Sequence, residues 1–426
     1  MHLNTETIEM PFGKGHLEVR IPTKNLKRIY ALQEPPGLAD EEKALAAALA
    51  HPIESKRLSA LIGPQERVCI LVSDITRPVP SKRIVTAILR ELGSTPRKNI
   101  TIVVATGLHR KNTDDELRAL LGRGITGEIE VINHDAFAER GLRYAGKTSR
   151  GTELYVNVTV SDADKVIATG YIEPHEFAGF TGGRKSILPG ICGADSINYN
   201  HRLENLDHPR AKTGILDGNP IHEDMVEAAR IIGVDFIVNV VLNSKKQIAA
   251  VVAGDLERAH EKGVEFCRKH AQVALGESAD IVITSSGYPL DINLYQAVKS
   301  IFAAEPFARK GGTIILLAEC EKGFGTDLFY RWMTSFTSPT QMIHRIKEEG
   351  YRADIDHCYF LAHILGDKEI TIVSPHKHLQ EINGSLMKTT DSAEEAIHDA
   401  LKIRGENSGI ALLPYAQRFL PKSNSA

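Results

Sequence analysis

Residues 165–202 read KVIATGYIEPHEFAGFTGGRKSILPGICGADSINYNHR. The stretch opens on Lys165–Thr169, a β-branched apolar run ending at a glycine, which predicts a strand. A glycine-dense loop follows, carrying His175, Lys185, Cys192 and His201. Gly179, Gly182 and Gly183 can take positive φ and let the backbone approach a ligand closely. Histidines suit proton transfer or metal binding near neutral pH. Lys185 is an amine that can anchor a charged group or a covalent adduct. A strand delivering such a loop predicts a cofactor-wrapping segment. The nearest phosphate-binding pattern fails. Residues 179–186 read G-F-T-G-G-R-K-S, and Arg184 stands where a P-loop needs its last glycine.

Working outward, strands and helices alternate. Val68–Ser73 and Asn99–Ala105 are short apolar runs, with helical periodicity over Lys82–Leu92 and near Asp114–Leu121. Glu128–Asn133 is another strand, and Phe236–Asn243 with Ile248–Val252 a hairpin. A helix over Asp255–His270 leads to a second alternation. It holds strands at Ile281–Ser285, Thr313–Ala318, Glu369–Val373 and Ile410–Leu413, and helices at Leu294–Arg309 and near Pro339–Glu349. The expectation is an α/β chain of two α/β domains with largely parallel sheets and an interdomain active-site cleft. Residues 1–275 would form the cofactor-binding domain and 276–426 a smaller C-terminal one. Ligands of such sheets sit beyond the carboxyl ends of strands. Asp74, Arg77, His109 and the 171–186 loop all follow predicted strands.

The bulk properties exclude several classes. A net charge of −3 lacks the basic excess of a nucleic-acid binder. No run approaches the ~20 apolar residues that cross a membrane. The first 22 residues lack a basic-then-apolar signal pattern and alternate like an edge strand or hairpin. Five cysteines with no C-x-x-C pair fit a reduced cytoplasmic protein.

Five segments together resemble the nickel-dependent lactate racemases and their 2-hydroxy-acid racemase and epimerase relatives. They are S-D-I-T-R-P at 73–78, A-T-G-L-H-R at 105–110, E-P-H-E-F-A-G-F-T-G-G-R-K-S at 173–186, N-H-R at 200–202 and L-Y-Q-A-V-K at 294–299. They stand in the family's order with about its spacing and span most of the chain. The resemblance implies inversion of a 2-hydroxy acid, lactate or a relative. It also implies a nickel-pincer nucleotide, pyridinium-3-thioamide-5-thiocarboxylic acid mononucleotide, tethered to Lys185 and made by separate maturation enzymes. His201 would be the protein's ligand to nickel, and His109 and His175 the two bases.

The chemistry agrees with those assignments. The α-hydrogen of a 2-hydroxy acid is not acidic beside a carboxylate, so it leaves more readily as hydride, through a planar 2-keto acid. The chain must then supply a base on each side of the substrate and cations for its carboxylate. Arg77 and Lys299 are the candidate cations, Arg77 serving cofactor or substrate. Asp74 could orient Arg77 or a histidine; otherwise it is a turn aspartate before Pro78. Tyr295 and Lys299 share a helical spacing, with Gln296 beside them, and are substrate candidates or an ordinary amphipathic helix. Cys192 reads as a buried structural cysteine. Two other readings remain. A nicotinamide-dependent dehydrogenase would need G-x-G-x-x-G, which the chain lacks. A non-catalytic small-molecule binding protein would need no nickel and show no turnover.

Overall fold

The computed structural model describes residues 4–93, 95–352 and 355–422. The chain divides into two compact units. The first spans Glu34–His270; the second joins the residues up to Gln33 to those from Ala271 onward.

The first unit is built on a six-stranded sheet. Its order is Ile248–Gly254, Val234–Leu242, Lys165–Tyr171, Val68–Ser73, Ile100–Ala105, Glu130–Asn133. Only the first two neighbours are antiparallel. Val68–Val72 are all buried, as expected of a parallel strand covered on both faces. The Ser81–Leu92 helix lays Ile84, Val85, Ile88 and Leu92 into the same core as Ile70, Ile102 and Phe236. The Asp114–Leu121 helix starts at a reciprocal cap, Thr113 with Glu116.

Strand order locates the functional end of this unit. From Val68–Ser73 the chain builds outward through Ile100–Ala105 to Glu130–Asn133. It then returns to place Lys165–Tyr171 on the opposite side of Val68–Ser73. The crevice beyond the carboxyl ends of these two strands is the topological switch point, where doubly wound sheets bind ligands.

The second unit carries a six-stranded, all-parallel sheet. Its order is Lys388–Thr390, Glu369–Val373, Ala308–Leu317, Ala279–Ser285, Ile410–Pro414, Leu26–Ile29. The Thr5–Phe12 and Gly15–Pro22 strands form the expected hairpin. Met10, Val19 and Ile21 enter a core with Ile281, Ile283 and Leu412. The division after His270 lies close to the expected boundary at 275, whereas the residues up to Gln33, expected in the first domain, group with the second unit. Leu26–Ile29 completes an edge whose partner, Ile410–Pro414, lies almost the whole chain away.

The expected helix over Leu294–Arg309 is also different. It forms two short pieces, Leu294–Ala297 and Lys299–Ala304, and Ala308 already begins a strand. Pro306 has no N–H to continue an α-helix, so the run ends there. Among the described residues, no helix is long and apolar enough to cross a membrane.

Candidate active site

Two turns close the switch point of the first unit. Asp74 follows the Val68–Ser73 strand and caps its own turn. Its Oδ1 accepts the Thr76 N–H at 2.7 Å and the Thr76 hydroxyl at 2.5 Å, and its carbonyl accepts the Arg77 N–H. Its Oδ2 lies 2.9 Å from Nδ1 of His109, which follows the adjacent Ile100–Ala105 strand. Asp74 thus both closes its own turn and lies against a ring nitrogen of His109. Burial alone would raise this carboxyl, but His109, Arg77 and Thr76 outweigh it and hold it well below the usual carboxylate range. Arg77 is half-buried. Burial works against its charge, but Tyr171, Asp74, Glu173 and Glu176 more than restore it.

The 171–186 loop is wired to the sheet beneath it. Thr181 donates its hydroxyl to the Tyr171 carbonyl and accepts the Glu173 N–H. Ser186 donates to the Thr169 carbonyl at 2.9 Å, and the Gly183 N–H donates to Oδ1 of Asn239 at 2.7 Å. Within the loop, Pro174–His175 and Gly179–Phe180 pair as a minimal hairpin. The glycines have structural reasons of their own. A Cβ on Gly179 would stand 2.2 Å from the Ile215 carbonyl oxygen, and one on Gly182 2.7 Å from Asn239 Oδ1. Both also hold positive φ.

Arg184, which spoils the P-loop pattern, is the loop's internal clamp. Only 1% exposed, it donates to the carbonyls of Ala178, Phe180, Thr181 and Gly182. Its Nη1 also lies 3.0 Å from Nε2 of His260. Burial pulls its pKa down to about 9. One guanidinium thus ties together four carbonyls of the tight loop.

Phe177 gathers three of the sequence-predicted residues. His175 meets its ring edge-on at 4.6 Å and His201 at 5.0 Å between centroids. Lys185 Nζ lies 5.5 Å from its centre. His201 caps the Ala194–Asn200 helix and is 4% exposed. Burial, then the nearby Lys185 charge, lowers its pKa to about 3, so the ring is neutral at pH 7. Its Nδ1 is buried with no hydrogen-bond partner.

That orphaned nitrogen is the observation against which a metal can be tested. A neutral imidazole with a bare buried nitrogen is a competent donor for a transition metal. Among the described residues, no group of three or more His, Cys, Asp or Glu side chains is disposed to hold a metal ion. Cys192 stays a thiol, because burial and Asp224 push its pKa well up. The residues therefore fit a metal that arrives with most of its own donors and takes one from the protein.

Tyr295, Gln296 and Lys299 lie in the second unit. Asn293 caps their first turn by accepting the Gln296 N–H. Tyr295 packs on His357, ring centroids 4.1 Å apart, and its hydroxyl donates to Asp356. Gln296 is buried, while Tyr295 and Lys299 are half-buried.

Sequence reasoning missed Glu176, Phe177 and Arg184. The first two flank His175 in a motif whose histidine, glycines and lysine drew attention. The signal for Arg184 was the broken P-loop pattern itself, since a charged residue amid glycines needs partners.

Comparison with known proteins identifies the family. Residues 12–214 match the lactate racemase N-terminal domain, and residues 274–416 the lactate racemase C-terminal domain. The chain is 37% identical to a lactate racemase of Thermoanaerobacterium thermosaccharolyticum over 416 residues, covering 96% of this chain and 97% of that protein. It is 34% identical to a lactate racemase of Lactiplantibacillus plantarum over 413 residues, with the same coverage. The solved lactate racemase apoprotein from T. thermosaccharolyticum superposes with a TM-score of 0.90 at 36% identity, covering 98% of this chain and 100% of that one. A Thermotoga maritima protein shares the fold at 17% identity, with a TM-score of 0.71, over 93% of this chain and 100% of that one. With both domains matched in order and about a third of the residues identical along nearly the whole length, the chain belongs to the lactate racemase family.

Proposed function

We propose that this chain inverts the C2 centre of a 2-hydroxy acid, lactate or a close relative. The observation that carries this reading is the pair His109 and His175. Each stands beyond the end of a different strand of one sheet, and each has a carboxylate against Nδ1, Asp74 and Glu176 respectively. A histidine so held offers Nε2 to a substrate hydroxyl, as base for one enantiomer and acid for the other.

Lys185 is the proposed tether and His201 the proposed protein ligand of a nickel-pincer nucleotide. When bound, that group would supply the acceptor for the C2 hydrogen as hydride, leaving a planar 2-keto acid. The chain's residues do the rest. Arg77 offers a planar cation for an anionic group of cofactor or substrate. Phe177 holds an apolar surface between His175 and His201. Asp74 is also proposed on the cofactor side, together with Gly179, Gly182 and Gly183 of the loop. Tyr295, Gln296 and Lys299 are the proposed substrate-binding residues, and maturation enzymes the proposed partners. Five free, buried cysteines support a cytoplasmic setting.

The test is a screen of enantiopure 2-hydroxy acids with protein co-expressed with cofactor-building enzymes. Interconversion of the enantiomers, with 2-keto acid seen only transiently, is the expected result. Binding without turnover would instead make the chain a small-molecule binding protein. Turnover needing added nicotinamide would make it a dehydrogenase.

A further inference from the structure

The two histidines are not held alike. Nδ1 of His109 faces one carboxylate, Oδ2 of Asp74 at 2.9 Å. Nδ1 of His175 has two neighbours of opposite kind. Oε2 of Glu176 lies 3.2 Å away and can only accept, whereas the Ala178 N–H lies 3.4 Å away and can only donate. The Glu176 side chain is 16% exposed and bears on Arg77, as Asp74 does.

These neighbours favour different tautomers. If Nδ1 carries the proton, Glu176 is an acceptor within 3.2 Å and Nε2 is bare, ready to accept a hydroxyl proton. If Nδ1 is bare, it takes the Ala178 N–H and the proton sits on Nε2, where the ring cannot act as a base. The doubly protonated ring, which must later return a proton, again needs an acceptor at Nδ1. A carboxylate serves both working states, and the backbone N–H serves neither. Resting on the function proposed above, we propose that Glu176 is the positioning residue of His175. It fixes the tautomer with a bare Nε2 against the competing Ala178 N–H, the part Asp74 plays alone at His109.

The charged and titratable neighbours of this pair are Arg77, Tyr171 and His201, which share Glu176's field, and Lys185, across Phe177.

The experiment uses full-length protein with 15N-labelled histidine, its ring signals assigned with a His175→Gln control. Two-bond 15N–1H spectra report which ring nitrogen carries the proton. In the wild type, His175 is expected with the proton on Nδ1. In Glu176→Gln it moves to Nε2, while His109 is unchanged. Cofactor loading of the variant, read by intact mass at Lys185, should be unaltered. In the loaded enzyme kcat should fall roughly 10- to 10³-fold with KM nearly held. Glu176→Asp should recover part of the loss. Because the enantiomers have equal energy, kcat/KM must fall by the same factor in both directions. A wild-type His175 protonated on Nε2 would overturn the proposal. So would a Glu176→Gln variant with wild-type tautomer and kcat. The wild-type spectrum decides even where the variant fails to fold. It is also independent of turnover, so a loaded wild type that racemises nothing removes the proposed function without deciding the tautomer.

Discussion

His201 stands edge-on to Phe177, ring centroids 5.0 Å apart and planes at 76°. The apolar ring covers an imidazole that already lies near the Lys185 ammonium, and both effects disfavour a charged His201. The price of that arrangement is acid sensitivity.

Burial lowers His201 and His260 to about 3 and His222 to about 2, with neighbouring cations adding to it. The sign follows directly. Near pH 6.5 and below, the unfolded chain takes up protons that the folded chain refuses, so stability is full above that pH and falls as pH drops towards 3. Each such histidine contributes a slope of up to about 1.4 kcal/mol per pH unit. Urea unfolding between pH 7.5 and 5 should show the decline, and His222→Asn should flatten it by about one proton. An unchanged slope in that variant would mean His222 is protonated in the folded state.

Wild-type protein made with the maturation enzymes should show an adduct by intact mass, and Lys185→Ala should lack it. His201→Ala should keep the adduct and lose nickel, because the proposed tether and the proposed metal ligand are different residues. Normal nickel content in His201→Ala would place the ligand elsewhere.

His109→Ala and His175→Ala should each reduce racemisation by roughly 10²–10⁴-fold in both directions, since the proposed cycle uses both rings. A substrate deuterated at C2 should react with a primary isotope effect. Little solvent deuterium should enter C2, and abundant label there in early turnovers would point to proton abstraction.

Arg184→Met should destabilise the first unit by about 3 kcal/mol or more, because four loop carbonyls lose one buried donor group together. Denaturant midpoints measure it. A shift below about 0.5 kcal/mol would show that water replaces the guanidinium readily.

Asp74→Asn should cost stability at pH 5 that disappears below about pH 4. The wild-type carboxyl is held below its unfolded value by His109, Arg77 and Thr76 against burial. Its contribution is therefore present above about pH 4 and fades only below it. A gap between the two proteins that already closes at pH 6 would exclude this account.

Much of this was readable from local pattern. The apolar run at Val68–Ser73 and the capped Asp114–Leu121 helix carry their own signals, because burial on two faces and an N-cap are local properties. The placement of Asp74 and His109 just beyond strands was equally local. The role of Arg184 was not, since its four acceptors depend on how the loop coils back over it.

The amino-acid sequence by itself determined the α/β alternation, the strand ends that carry Asp74, His109 and the 171–186 loop, and the family, because each rests on periodicity or on motifs contiguous in the chain. Only the tertiary structure decided that residues up to Gln33 join the second unit, that one phenylalanine gathers His175, Lys185 and His201, and that Glu176 and Ala178 both lie against a single nitrogen of His175. Sheet-edge pairing and side-chain convergence depend on distances through space, and residue order along a chain does not encode those distances locally.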